Sequence, residues 1–179
     1  MRLSYFVLIL AKRVLATCLC CAFCTSAFAA EDGEPGFSAS NFHVMDEMDK
    51  TSDLALFALG LAGTQYKFGG NSPDAGMDCS GLVRYVFKEI LDKDLPRSSE
   101  EISHVGNAIE DHELRPGDLV FFNTLKRAFS HVGIYLGENK FIHSPASGGK
   151  VRIESMSVHY WKQRFNGARR IIGWRDAPR

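Results

Sequence analysis

Cysteine is almost absent from most of this sequence. Four of the five cysteines lie within residues 18–24, and beyond them only Cys79 remains. A segment with one cysteine cannot form an internal disulfide, so Cys79 is either a buried bystander or a reactive thiol. The cysteine count alone does not decide between the two.

Net charge is also lacking, because 21 basic residues balance 21 acidic ones. This balance gives no indication of a nucleic acid partner or of an anionic membrane surface. Internal repeats and long low-complexity stretches are missing too. With 179 residues, of which 45% are hydrophobic, the sequence can bury the core of one globular domain.

The first 29 residues predict a signal peptide rather than part of the fold. Lys12 and Arg13 precede an apolar run over residues 14–24, and Ala27 and Ala29 form an Ala-x-Ala cleavage site. Basic, apolar and cleavage regions in this order are typical of exported proteins. We therefore expect residues 1–29 to direct export and then to be removed.

Two membrane-attached alternatives remain open for this segment. Residues 14–30 could marginally span a bilayer if they were not cleaved. Residues 15–18, with the sequence Leu-Ala-Thr-Cys, resemble the lipid-attachment motif of lipoproteins, although Thr17 stands where Gly, Ala or Ser is usual. Membrane contact is expected only in these two cases.

Residues 30–52 predict a flexible tether, and residues 53–179 predict the folded domain. The tether is acidic and poor in large apolar side chains, which favours a solvated chain. One of residues 51–53 would cap a short apolar helix over residues 54–61. Residues 69–74, rich in Gly, Asn, Pro and Asp, predict a loop.

The segment that begins at Cys79 predicts an amphipathic helix with its cysteine in the first turn. Asp78 is placed to cap the N-terminus of this helix. The thiol is expected at the core-facing edge of the first turn. The apolar residues that follow recur at helical spacing: Leu82, Val83, Val86, Phe87, Ile90 and Leu91.

Beyond a capping box at residues 98–101, the pattern changes from helix to strand. Four strands are expected, at residues 119–122, 131–136, 141–143 and 151–153. Helices first and an antiparallel meander afterwards predict an α+β domain, in which the helices pack on the sheet.

Cys79 is a candidate nucleophile, because the partial positive charge at a helix N-terminus favours a thiolate. A thiol nucleophile also needs a base, ordinarily an imidazole that a third polar group orients. Of the six histidines, His131 and His143 begin or end predicted strands, which makes them the candidates. A zinc site formed by these three residues is the alternative, but spacings of 52 and 12 residues match no zinc-finger pattern.

Several blocks of the sequence together resemble the NlpC/p60 family of papain-like cell-wall peptidases. The resemblance covers residues 54–172, which is nearly all of the sequence beyond the predicted tether. The Asp-Cys-Ser-Gly block alone is a weak signal, whereas the set of blocks in the family's order is specific. The blocks are Tyr66 with Gly69 and Gly70, Asp78-Cys79-Ser80-Gly81, Leu95-Pro96-Arg97-Ser98, and residues 115–122, 131–137 and 141–143.

The resemblance implies a papain-like α+β fold and a cysteine peptidase that cuts peptide stems of the bacterial cell wall through a thioester intermediate. It makes Cys79 the nucleophile, His131 the general base and His143 the residue that orients the base. The oxyanion would be bound by the Cys79 backbone amide and by Tyr66. No metal ion or other cofactor is implied.

Basic side chains could hold the free carboxylates of wall stems, because arginine pairs with carboxylates through two hydrogen bonds. Arg97 is the main candidate, since it follows the family's Leu-Pro block. Asp78 and Ser80, which flank the nucleophile, are also expected to contact substrate. Three more arginines are candidates for the same role: Arg115, Arg169 and Arg170.

Two bonds in the stems are candidate targets: the bond between D-glutamate and diaminopimelate, and the cross-link between D-alanine and diaminopimelate. Residues 160–170 resemble the tail of Gram-negative envelope endopeptidases, which favours the cross-link and a location in the periplasm or envelope. Two other functions stay open, a catalytically silent wall-binding module and a thiol acyltransferase or amidase. The presence of both Cys79 and His131 argues against the silent module.

The proposed triad imposes a condition on the hairpin formed by the second and third strands. If residues 138–139 formed the two-residue turn of a regular hairpin, His131 and His143 would project from opposite faces of the ribbon. One residue of irregularity would bring them to the same face. We therefore predict a longer loop, or a bulge near Gly133 or Gly137.

Overall fold

The computed structural model describes residues 39–125, 127–147, 149–171 and 173, with side chains from residue 50 onward. The predicted signal peptide, residues 1–29, lies outside this part of the chain. Within the described part, no helix combines the length and the hydropathy that a membrane crossing requires.

The first helix, α1, spans Ala39–Gly60, whereas the sequence predicted a helix over residues 54–61. The predicted start was wrong, and residues 39–52 of the expected tether are helical. The segment has no proline, and no glycine before its last residue, so it contains no helix breaker. Leu54 and Ala58 are fully buried and lie one helical turn apart on the face that packs against the core.

The second helix, α2, spans Cys79–Leu91, as the sequence predicted. Asp78 is its N-cap, and the Asp78 side chain accepts a hydrogen bond of 2.7 Å from the Gly81 amide. Asp92 ends the helix in the left-handed conformation, with a φ of 49°. The predicted apolar stripe is confirmed by four fully buried side chains: Leu82, Val83, Val86 and Phe87.

Short elements lie on either side of α2. Residues 69–74, predicted as a loop, contain strand β1 (Asn71–Ser72), which pairs with β2 (Gly76–Met77). A third helix, α3 (Ser99–Ile102), begins at the predicted capping box at residues 98–101.

Six strands form one antiparallel sheet in the order β3-β8-β4-β5-β6-β7. Their bounds are Asn107–Ile109 (β3), Leu119–Phe122 (β4), His131–Gly137 (β5), Lys140–His143 (β6), Arg152–Ser155 (β7) and Phe165–Arg170 (β8). The predicted strands are confirmed as β4 to β7, which form the expected meander. The sequence did not predict β3 or β8, and β8 returns to pair between β3 and β4. A 3-10 turn (Asp111–Glu113) follows β3, and helix α4 (His159–Lys162) precedes β8.

The two faces of the sheet carry separate apolar clusters. Helices α1 and α2 cover one face, where Val132, Ile134 and Ile142 pack among the helix side chains. A second cluster, around Phe141 and Trp161, lies on the opposite face. Strand β4 is buried along its whole length because both clusters pack on it. The predicted α+β class, with helices packed on an antiparallel sheet, is confirmed.

The hairpin of β5 and β6 contains the irregularity that the proposed triad requires. Its register shifts by one residue between Tyr135 and Gly137, so that Gly133 faces His143. His131 lies two residues before Gly133 and therefore projects from the same face as His143. The prediction of a bulge near Gly137 is confirmed.

Helix α2 and the loop before it approach each other closely at Gly81. A Cβ atom at Gly81 would lie 2.0 Å from the carbonyl oxygen of Gly70. We expect Gly81→Ala to lower the free energy of unfolding by about 1–3 kcal/mol, because the overlap outweighs the better helix propensity of alanine. Urea denaturation measures this change.

The matched control is Gly60→Ala at the end of α1, where a Cβ atom would meet no atom within 4 Å. This variant should be neutral or slightly stabilising. If both variants lost stability equally, the close approach of Gly81 to Gly70 would not be the cause of the loss in Gly81→Ala.

Candidate active site

The carboxylate of Asp78 ties the start of α2 to two neighbouring segments. It accepts hydrogen bonds from the Gly81 amide at 2.7 Å and from the Gly69 amide at 2.9 Å. Arg97 donates to both oxygens, at 2.5 and 3.1 Å, and the Ser80 hydroxyl donates at 3.2 Å. Burial alone would raise the pKa of this carboxyl, but the donors and the Arg97 charge outweigh it and hold the pKa below its ordinary value. The charged carboxylate therefore fixes the first turn of α2 in place.

Cys79 is the first residue of α2 and lines the cleft described below. Burial raises the pKa of the Cys79 thiol, and the Asp78 charge adds to this effect, whereas the backbone amides of Val132, Ser80 and Cys79 itself act in the opposite direction. The thiolate expected at the helix N-terminus is therefore not favoured in the resting protein, since desolvation outweighs the helix amides.

His131 and His143 are hydrogen-bonded to each other through their rings. His131 Nε2 lies 2.7 Å from His143 Nδ1, and the two ring planes are perpendicular. Burial lowers the pKa of His131 to about 3, and the charges of His143 and Arg152 act in the same direction. Burial lowers the pKa of His143 to about 4 despite the opposing charge of Glu154. Both rings are therefore neutral at neutral pH, and one of them donates a hydrogen to the other.

Trp161, from α4, covers both imidazole rings. Its ring stacks on His131 at a centroid distance of 5.7 Å and meets His143 edge-on at 5.0 Å. Trp161 is only 5% exposed, so it shields the pair from water on this side. Its indole N–H donates to Glu154 on β7. The sequence carried no signal for these contacts, because they join segments that are distant along the chain.

Tyr66 approaches Cys79 from the segment that precedes β1. Its backbone bridges to Met77, two residues before Cys79, and its amide donates to the Gly149 carbonyl at 2.6 Å. Burial raises the pKa of Tyr66, and the Asp78 and Cys79 charges raise it further. The phenol therefore keeps its proton and can donate a hydrogen bond.

These side chains meet in one cleft of about 610 Å³. His143 is fully buried rather than part of the cleft lining. The other six predicted site residues all line the cleft: Tyr66, Asp78, Cys79, Ser80, Arg97 and His131. Its walls add Phe68, Leu125 and Arg127, which the sequence did not indicate, and Tyr160 and Trp161, which begin the tail at residues 160–170.

The three further candidate arginines do not line this cleft. Arg170 donates to the Asp118 carboxylate at 2.7 and 2.8 Å, and Arg169 donates to the Ser103 carbonyl. Arg115 lies in the turn before β4, where its amide donates to Asp118 at 2.8 Å. Their position outside the cleft does not favour a role as substrate ligands there, and that role stays a prediction.

Comparison with known proteins identifies the family. Residues 63–170 match the NlpC/P60 family, and this span contains all seven predicted site residues. The match covers more than half of the chain. The protein therefore belongs to the NlpC/P60 family.

Two curated relatives and one solved structure illustrate the likeness. Murein DD-endopeptidase MepH of Escherichia coli strain K12 is 46% identical over 113 residues, which cover 62% of this chain and 42% of that protein. Gamma-DL-glutamyl hydrolase of Bacillus subtilis strain 168 is 47% identical over 110 residues, which cover 61% of this chain and 26% of that protein. The chain thus spans less than half the length of either relative. An NlpC/P60 family protein from Bacillus cereus superimposes with a TM-score of 0.64 at 31% identity, over 68% of this chain and 40% of that one.

The buried neutral histidines make stability depend on pH. Unfolding returns both rings toward the ordinary pKa of 6.5, so the unfolded chain binds more protons than the folded chain below that pH. The free energy of unfolding should therefore fall as the pH falls from about 6.5 toward 4, by up to about 1.4 kcal/mol per pH unit for each histidine. Urea denaturation at several pH values between about 7 and 5 measures this slope.

Two variants serve as comparison for this slope. His143→Gln removes one titrating ring and should show a shallower dependence on pH. His112→Gln, at an exposed position of the 3-10 turn, should keep the wild-type slope. Equal slopes in all three proteins would contradict a buried neutral pair.

Proposed function

We propose that the protein is a peptidoglycan hydrolase that acts as a cysteine endopeptidase on the peptide stems of the bacterial cell wall. The observation that carries this proposal is the meeting of Cys79 and His131 in one cleft, with the His131 ring hydrogen-bonded to His143 at 2.7 Å. Membership of the NlpC/P60 family and the murein DD-endopeptidase MepH support the same class of substrate.

Catalysis begins when the Cys79 sulfur attacks the carbonyl carbon of a peptide bond. The thiol proton passes to the unprotonated ring nitrogen of His131 as the C–S bond forms. The C–N bond then breaks, and His131 gives the proton to the leaving amine, which leaves a thioester on Cys79. Water attacks the thioester while His131 accepts one of its protons, and return of that proton to the departing sulfur releases a carboxylic acid.

The negative oxygen of each tetrahedral intermediate is bound by two donors in this proposal. They are the backbone amide of Cys79 and the hydroxyl of Tyr66, which keeps its proton because its pKa is raised. Donors that are fixed before the reaction stabilise the oxyanion more than the neutral carbonyl, and so they lower the barrier.

Arg97 is the proposed ligand for a carboxylate of the stem. Its side chain is 41% exposed, against 10% for its partner Asp78, so part of the guanidinium faces the cleft. Ser80 accepts a hydrogen bond of 2.7 Å from Arg97, and the Asp78 oxygens are occupied by Arg97 and by backbone amides. These contacts favour a role for Asp78 and Ser80 in holding Arg97, and their direct contact with substrate stays a prediction.

We propose the cross-link between D-alanine and diaminopimelate as the bond that is cut. Tyr160 and Trp161, from the tail that resembles Gram-negative envelope endopeptidases, line the cleft, and MepH is named for DD-endopeptidase activity. The Bacillus subtilis relative is named for a gamma-glutamyl bond. Cleavage between D-glutamate and diaminopimelate is therefore the competing outcome.

We also propose that residues 1–29 are a cleaved signal peptide and that the enzyme works in the periplasm or envelope of a Gram-negative bacterium. Export would bring the cleft to peptidoglycan, which lies outside the cytoplasmic membrane.

Mass spectrometry of purified muropeptides tests the proposed reaction and the bond. The wild-type protein should convert cross-linked dimers into monomers. Each cleavage adds one water and creates one new carboxyl end and one new amine end. Cys79→Ala should leave the dimers intact, because the nucleophile is lost. Shortened stems would identify the glutamyl bond, and products joined to an acceptor other than water would identify an acyltransferase. Unchanged fragments with both folded proteins would favour a wall-binding module.

Tyr66→Phe tests the proposed oxyanion donor. Loss of the hydroxyl should lower kcat by about 100- to 1,000-fold with little change in KM, because the donor acts on the transition state. The matched control is Tyr85→Phe, at a ring that stacks on Phe57 away from the cleft, and it should keep wild-type kinetics. Wild-type kcat in Tyr66→Phe would contradict the assignment.

A further inference from the structure

The outer ring nitrogen of His143 is the least satisfied polar atom of the site. His143 is fully buried, and within the described part of the chain its Nε2 makes no direct hydrogen bond. The Oε1 atom of Glu154 lies 3.5 Å from this nitrogen. Leaving a buried nitrogen without a hydrogen bond is unfavourable, so a small approach of the two groups to hydrogen-bond distance is favourable.

Glu154 is held beside His143 by two other donors. Oε1 accepts a hydrogen bond of 2.5 Å from Arg152 Nε, and Oε2 accepts one from the indole N–H of Trp161. Burial alone would raise the pKa of Glu154, but these two hydrogen bonds and the Arg152 charge lower it, so the side chain is an ionised carboxylate. An ionised carboxylate can accept hydrogen bonds but cannot donate one.

We propose that Glu154 is a positioning residue that fixes which ring nitrogens of His143 and His131 carry hydrogen, and thereby makes His131 Nδ1 the base for Cys79. The proposal rests on the cysteine peptidase function proposed above. It adds a fourth group to the site, on β7 behind the histidine pair.

The hydrogen positions follow in three steps from the acceptor-only character of Glu154. A carboxylate next to Nε2 of His143 requires hydrogen on that nitrogen, so the other nitrogen, Nδ1, has a free lone pair. The contact of 2.7 Å then requires His131 Nε2 to be the donor. His131 Nδ1 is left without hydrogen and can accept the thiol proton of Cys79.

The opposite arrangement would disable the base. If His143 carried hydrogen on Nδ1, it would donate to His131 Nε2, and the single hydrogen of neutral His131 would sit on Nδ1. That nitrogen could not take a proton from Cys79. The carboxylate of Glu154 disfavours this arrangement because it would face a second acceptor, the bare Nε2 of His143.

Charge acts in the same direction as hydrogen bonding. The charged and titratable groups that face the histidine pair are Cys79 from α2 and Arg152 and Glu154 from β7, while Trp161 from α4 has no ionisable group. Arg152 disfavours a proton on both histidines, and Glu154 favours one on His143. A negative charge behind the pair also favours the imidazolium that forms on His131 during catalysis.

Nitrogen-15 NMR of the histidine rings in the whole protein at neutral pH, under reducing conditions, tests the proposal without any substrate. We expect the wild-type protein to carry hydrogen on Nε2 of both His131 and His143. In Glu154→Gln the amide cannot accept from all three donors, so at least part of the His143 population should move its hydrogen to Nδ1. Hydrogen on His143 Nδ1 in the wild type, or unchanged rings in the variant, would overturn the proposal.

Kinetics on cross-linked muropeptides give the second readout. Glu154→Gln should lower kcat by about 10- to 100-fold at nearly constant KM, the range found for groups that orient metal-binding histidines from behind. The limb of the kcat profile that reports His131 should move to lower pH, because the imidazolium loses a stabilising charge. A merely structural role would not move that limb.

Two further variants guard against a folding artefact. Trp161→Phe removes one anchor of Glu154 but keeps an aromatic ring over the histidines, and it should shift the hydrogen positions partly in the same direction. Glu138→Gln removes a carboxylate that pairs with Lys140 at an exposed turn, and it should change neither readout. If the wild-type protein leaves muropeptides intact, the proposed function fails while the NMR result still decides the role of Glu154.

Discussion

The carboxylate of Asp78 is the group on which the geometry of the site depends. One side chain caps helix α2 through the Gly81 amide, holds the preceding loop through the Gly69 amide, and pairs with Arg97 from the segment before α3. A buried carboxylate is stable only while such donors are present, so the three segments are coupled through a single charge. Cys79 is the next residue in the chain, and its position in the cleft is a consequence of this coupling. The coupling also needs glycine at position 81, because a larger residue there would meet the Gly70 carbonyl and separate the helix from the loop.

The second constraint is the bulge in the β5–β6 hairpin. A single extra residue between Tyr135 and Gly137 changes which residue faces His143 and brings the two histidines to one face. That face carries the second apolar cluster, where Trp161 covers both rings. The hydrogen-bonded pair is therefore formed inside an apolar environment, which is why both pKa values fall so far below the ordinary one.

Features that depend on neighbours along the chain could be predicted from the sequence, and features that depend on distant contacts could not. The cap at Asp78 and the apolar stripe of α2 are local patterns, and the bulge was required once both histidines were assigned to one site. Strand β8 was missed because residues 165–170 are mixed in polarity and contain Gly167, so only pairing with β3 and β4 defines the strand. The start of α1 was wrong because acidic composition suggested a solvated chain, although no helix breaker interrupts it. The shift in the Cys79 pKa was also missed, since the helix terminus is visible in sequence whereas burial is a property of the whole fold.

Burial of the thiol and of its base changes what the site must control. In a thiolate–imidazolium pair the base carries hydrogen on both ring nitrogens, because the ring is charged. The question of which nitrogen lacks hydrogen then does not arise. Here burial raises the pKa of Cys79 and lowers the pKa of His131, and the resting pair is neutral. A neutral imidazole has one hydrogen, and the nitrogen that lacks it is the only one able to accept the thiol proton. The groups behind the base then matter as much as the base itself, because they decide where that hydrogen lies. His143 alone does not decide which nitrogen of His131 carries hydrogen, since its own hydrogen can occupy either ring nitrogen. An ionised acceptor on the far side of His143 leaves only one arrangement of hydrogens on the two rings.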